Sequence, residues 1–133
     1  MLRLIISSRI SKCGTCSKEI SEYGAHNQRG YVTLEVRPKA KSGGWELILI
    51  EDLIEVAEKS GSAPVYALLK RTDERFVTMQ AYDNPVFVED VVRNAAALLR
   101  ADLRVSSFTV KAVNHESIHD HNAFATIVGR AVE

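Results

Sequence analysis

Two hydrophobic periods alternate along this chain. Residues 2–10 are mostly apolar, β-branched at Ile5, Ile6 and Ile10, and predict a strand. Residues 31–37 alternate strictly, with Val32, Leu34 and Val36 facing one way and Tyr31, Thr33, Glu35 and Arg37 the other. That is the pattern of a half-buried strand, and Pro38 ends it because proline has no N–H for the ladder. Over residues 45–59 the period lengthens. Ile50, Ile54 and Ala57 form one apolar row and Leu49, Leu53 and Val56 the row beside it, as in an amphipathic helix that starts at Trp45 and stops at Gly61. Pro64 opens a short extended piece, residues 65–69, which runs into a charged turn at 70–75. Asn84 and Pro85 predict the start of a second helix, as cap and first helical residue. Its apolar face is Val88, Val91, Val92, Ala95, Leu98 and Leu99. Residues 105–113 alternate again, as do 123–132, where Phe124, Thr126 and Val128 oppose Ala123, Ala125 and Ile127.

The order is strand, strand, helix, helix, strand, strand. It predicts an α+β fold: a four-stranded antiparallel sheet with two helices packed on one face, each terminal strand pair being adjacent in sequence. At 133 residues, positions 1–133 fit a single domain with room for a core. Lys plus Arg equals Asp plus Glu at 17 each, so no net field calls for nucleic acid or a membrane surface. No apolar run approaches the roughly 18 residues of a membrane helix, and the apolar start is shorter than the roughly 7–15 residues of a signal peptide core. The expected location is the cytoplasm.

Against that background two polar stretches stand out. Residues 13–30 hold both cysteines, Cys13 and Cys16, together with His26, Lys18 and Arg29, and contain no hydrophobic run. Residues 115–121 hold His115, Glu116, His119, Asp120 and His121. Both fall in strand-to-strand connections, and in a four-stranded sheet such connections can share one end. Taken alone, C-x-x-C is a redox pair, half of a zinc site or two unrelated thiols; a four-cysteine zinc site within one chain is excluded because there is no second pair. A thioredoxin-like role wants the motif opening a helix, whereas here a polar loop and a strand follow. A single turn histidine is ordinarily solvated, but three within seven residues beside a glutamate suit a site. Lys70 to Arg75 would ordinarily be a solvated turn, and the helix stripes are core.

Longer motifs carry more. Cys16-Ser17-Lys18-Glu19-Ile20-Ser21 followed by Tyr23-Gly24-Ala25-His26-Asn27-Gln28-Arg29-Gly30 resembles the signature of the type IB GTP cyclohydrolases. So do Leu68-Leu69-Lys70-Arg71-Thr72-Asp73-Glu74, Ala81-Tyr82-Asp83-Asn84-Pro85, and Glu116-Ser117-Ile118-His119-Asp120-His121. The resemblance runs from Cys16 nearly to the end of the chain and is to the C-terminal half of family members, which carry two tunnelling-fold halves in tandem. It implies the tunnelling fold, whose unit is ββααββ, and oligomers with sites between subunits. It also implies a hydrolase of folate-type pterin biosynthesis that converts GTP to 7,8-dihydroneopterin triphosphate and formate with a divalent metal, zinc or manganese. Carried over by position, Cys13 and His26 with His119 would be metal ligands, and His119, Glu116 and Cys16 catalytic residues. Glu116 would also hold the purine edge, and Lys18, Arg29, Lys70 and Arg71 would meet the triphosphate.

Two positions depart from the family pattern. The family has Cys-Pro-Cys before Ser-Lys, where this chain has Gly14 and Thr15 and places Cys13 one residue earlier. It also has a glutamate before the Ala-Tyr element, in the region of Met79 and Gln80 here. A thioether cannot replace a carboxylate on a hard cation. Three readings follow: a GTP cyclohydrolase assembled as a homo-oligomer or with a separate first half; a catalytically degenerate module that binds a purine or pterin or serves as an assembly unit; and a redox or structural zinc module on Cys13 and Cys16.

Overall fold

The computed structural model describes residues 4–13, 27–116 and 119–130, and for 4–13, 27 and 28 the course of the backbone. Its main sheet has four long strands: β1 (Leu4–Cys13), β2 (Asn27–Pro38), β6 (Val105–His115) and β7 (Asn122–Arg130). Two short strands, β3 (Ala40–Lys41) and β4 (Gly44–Trp45), form a separate hairpin, and β5 (Ala63–Pro64) joins the main sheet. The sheet order is β5-β1-β2-β6-β7, antiparallel throughout. The expected four strands thus gain a fifth, two residues long, which pairs with Ile10 and Ser11 near the end of β1.

Three helices, not two, complete the described chain: α1 (Ile50–Ser60), α2 (Arg71–Asp83) and α3 (Val88–Ala101). The alternation in β2 and β6 places Val32, Leu34, Val36, Phe108, Val110 and Ala112 on one face, each at most 2 % exposed. Leu53 and Ala57 of α1 and Val91, Val92, Ala95, Ala96 and Leu99 of α3 pack on that face in a single cluster. The α3 positions recur at three- and four-residue steps, so one stripe of that helix is buried along its whole length. A smaller cluster, Ala63, Val77 and Ala81 with Leu69 and Tyr82, seats α2 beside β5.

All three helices start alike. The backbone N–H before the first turn donates to an aspartate three residues on: Leu49 to Asp52 at 3.2 Å, Lys70 to Asp73 at 3.0 Å and Phe87 to Asp90 at 3.1 Å. This is half of a capping box, and the acid also faces the positive end of the helix dipole. It moves the starts away from the expected places. Trp45 lies in the β3–β4 hairpin, whose turn uses Gly43 at φ 83°. Asn84 does not begin a helix. It follows α2, and its Nδ2 donates to the carbonyls of Gly61 and Ser62 at 3.3 and 3.2 Å. The charged stretch 70–75 is the opening of α2 rather than a turn.

Candidate functional site

The strand register settles where the two polar connections begin and end. Cys13 pairs with Asn27, Gly30 with Asn114, and His115 with Asn122. The ends of both connections therefore lie at one end of the sheet, on neighbouring strands. Cys13 and the end of β6 are separated by β2 alone, roughly 10 Å across at the usual strand spacing. Residues about a hundred apart in sequence are brought to one rim by the pairing of β2 with β6.

Most of the first connection, with Cys16, Lys18 and His26, lies outside the described residues, as does the side chain of Cys13. Arg29 is exposed in β2, opposite Ser11 of β1. On the second connection His115 ends β6 and meets Tyr31 edge to face, ring centroids 5.4 Å apart. His119 and His121 stack with centroids 5.1 Å apart, and both are exposed. The Nδ1 of His121 lies 3.4 Å from a carboxylate oxygen of Asp120. Glu116 is half-buried immediately after β6. Strand alternation places Asn114 towards the helix-covered face, while Tyr31 and His115 share the opposite one.

Lys70 and Arg71 sit apart from this rim in sequence, at the start of α2. Arg71 shares an open hollow of about 650 Å³ with Glu74, Arg75, Thr78 and Met79. Arg75 was not among the expected cations. Its signal in the sequence is the four-residue step from Arg71, which becomes readable once α2 is known to be helical. Met79, 53 % exposed, borders the same hollow.

Among the described residues no group of three or more His, Cys, Asp and Glu side chains could hold a metal ion. Thiolate and imidazole donors suit a borderline divalent cation. The described residues contribute only His119 of the expected set, so they do not by themselves make up a metal centre.

The family model of the type I GTP cyclohydrolase FolE2 matches residues 5–125. The chain belongs to this family. The FolE2 match begins at Ile5, ahead of the Cys16 motif from which the resemblance was read. The GTP cyclohydrolase FolE2 of Dictyoglomus thermophilum is 54 % identical over 112 residues, which cover 84 % of this chain and 41 % of that protein. That of Citrifermentans bemidjiense is 56 % identical over 84 % of this chain and 40 % of its own length. That of Thermotoga petrophila is 53 % identical, with 84 % and 41 % covered. The chain thus spans about two-fifths of the length of these FolE2 relatives. No helix among the described residues is long and apolar enough to cross a membrane.

Proposed function

We propose that this chain carries GTP cyclohydrolase I-type chemistry, opening the imidazole ring of GTP to give 7,8-dihydroneopterin triphosphate and formate. The observation that supports it most is the family match over residues 5–125 together with a register that puts the ends of both polar connections on one rim. In this reading the fold is the tunnelling fold and the chain corresponds to the C-terminal half of longer members. Its site is completed by another subunit, a second copy or a separate first half. Among the described residues β7 is an outermost strand of the sheet, and the exposed Phe124 and Val128 on it suit such pairing. A cytoplasmic location goes with it.

The roles follow the motif positions. His119 moves protons, an imidazole being suited to both acid and base near neutral pH. Glu116 holds the guanine N–H groups by charge-assisted hydrogen bonds. Lys18, Arg29, Lys70 and Arg71 take the triphosphate. Cys13, with Cys16 nearby, His26 and His119 would hold zinc or manganese, whose chemistry is to make hydroxide available at neutral pH. A second reading, a degenerate module that binds a purine or pterin without turning it over, is favoured by Gly14 and Met79 at the two departing positions.

The deciding experiment is formate release from GTP by the purified protein with added zinc or manganese, against a chelated control. Metal-dependent formate is the expected result. A folded, oligomeric protein that releases none, yet binds GTP, would make the second reading the correct one.

A further inference from the structure

The side chain of Asn114 is 0 % exposed, and neither its Oδ1 nor its Nδ2 meets a hydrogen-bond partner among the described residues. A buried carboxamide left with no partner at all would be destabilising, because its atoms would lose water and gain nothing in exchange. An apolar side chain of similar shape would serve packing better. The surroundings are small. Across the sheet its partners are Gly30 on β2 and Ala123 on β7, and Ala112 lies two residues back on the same face. These three neighbours, Gly30, Ala112 and Ala123, have little or no side chain. Two residues further on is Glu116, and beyond it His119. Buried polar groups without a protein partner are commonly satisfied by an ordered water, which makes about two to four hydrogen bonds.

We propose that Asn114 is a positioning residue: with enclosed water it anchors the end of β6 and thereby fixes where Glu116 and His119 stand. It touches no substrate. The carboxamide offers a donor and an acceptor, so one water can bond to it and still bond the backbone of the strand end. This rests on the cyclohydrolase reading for its kinetic consequence, but its structural part is independent of any activity.

The test compares Asn114→Leu and Asn114→Ser with the parent. In Asn114→Leu the fold and melting temperature should be kept or improved. Its kcat for formate release from GTP should fall by roughly ten- to a hundredfold, the scale of a small misplacement of reacting groups, with KM for GTP little changed. Asn114→Ser keeps a hydroxyl for the water and should recover most of the lost kcat. If Asn114→Leu does not fold, Asn114→Ser and Asn114→Ala, which differ by one hydroxyl, carry the same comparison. Full kcat in the leucine or alanine variant overturns the proposal, and so does a loss that follows melting temperature and is not restored by serine. Should the parent release no formate, the functional reading fails and two other readouts decide. A side-chain amide of Asn114 with a nuclear Overhauser contact to a long-lived water, and faster exchange of the Glu116 backbone amide in Asn114→Leu, support positioning. Absence of both overturns it.

Discussion

Gly129 of β7 lies directly opposite Phe108 of β6, and the Phe108 ring occupies the space a side chain at 129 would need. A Cβ built on Gly129 comes within 2.5 Å of the ring carbon Cζ. Phe108 is 2 % exposed and packed in the main core, so it has little room to yield. Gly129→Ala should therefore destabilise the protein by about 1–3 kcal/mol, the usual range for overpacking. Thermal unfolding would register it. An unchanged melting temperature would mean that the ring turns aside at no cost, and Phe108→Leu combined with Gly129→Ala should recover most of the loss.

Arg104 gathers the start of α1 and the turn before β6. Its Nη1 donates to Asp52 at 2.8 Å and to the carbonyl of Leu47 at 3.3 Å, and its Nε and Nη2 donate to Asp102 at 3.0 and 2.8 Å. Hydrogen bonding from the Arg104 side chain holds the Asp102 carboxyl below its ordinary value of 3.8, outweighing the opposing effect of partial burial. A carboxyl depressed in the folded state contributes stability that is complete above its unfolded value. That contribution is lost as pH falls through the lower folded value. Acid unfolding of the parent should thus include a loss below about pH 4 that Asp102→Asn no longer has. Arg104→Lys, which loses the fork, should lower stability near neutral pH by about 1 kcal/mol or less, since the group is partly solvated. Superimposable acid titrations of parent and Asp102→Asn would remove Asp102 from the account.

The strands β2 and β6 and the helix α3 were legible in the sequence because each has one thoroughly buried face. Val32, Leu34 and Val36 carry period two, and Val88, Val91, Val92, Ala95 and Leu99 carry period 3.6, at full strength. The helix α2 was not, because only Val77 and Ala81 of its thirteen residues are buried. A helix resting on a sheet edge and the two-residue β5 has a narrow apolar face, and a charged opening such as Lys70 to Arg75 then looks like a turn. Trp45 misled for another reason: the sequence does not reveal that Gly43 turns the chain into a hairpin before the helix begins. That the ends of the two polar connections lie on one rim was legible from the order of the strands. Where the side chains of the connections stand was not, since that depends on loop conformation rather than on periodicity.

Asn84 illustrates a correct residue given the wrong task. Its amide ties the end of α2 to the segment that follows α1 through the carbonyls of Gly61 and Ser62. Asn84→Ala should cost about 1 kcal/mol, the net worth of such bonds. Asn84→Asp should cost at least as much, because a carboxylate would then face two carbonyl oxygens. Chemical denaturation measures both. An aspartate variant as stable as the parent would show that the amide is not needed as a donor.

His119 is exposed and stacked on His121, so neither ring is required by the core. Replacing His119 with alanine should leave the circular dichroism spectrum and melting temperature unchanged. If it is the proton carrier, formate release from GTP should fall by about 10²–10⁴-fold. His121→Ala, which removes the stacking partner and leaves the carrier, should have a smaller effect. Equal losses in the two variants would assign the role to the pair rather than to His119, and undiminished turnover in His119→Ala would end that assignment.

Met79 tests the other end of the proposed site. It is 53 % exposed on α2, beside Arg71, Arg75 and Thr78. Glutamate has a helix propensity close to that of methionine, and at an exposed position the change removes no core contact. Met79→Glu should therefore fold as the parent does. If the glutamate of the family's metal site belongs at this position, the variant gains a carboxylate ligand, and zinc or manganese should bind about tenfold more tightly or better, the scale on which a single group at a metal site acts. A titration of metal into chelator-stripped protein gives the answer directly. A gain in affinity that brings formate release with it would identify Met79 as a residue that disables the site. A gain without turnover would place the remaining defect at Gly14. No gain at all would mean that the family's ligand position falls elsewhere, with Gln80 the next to change.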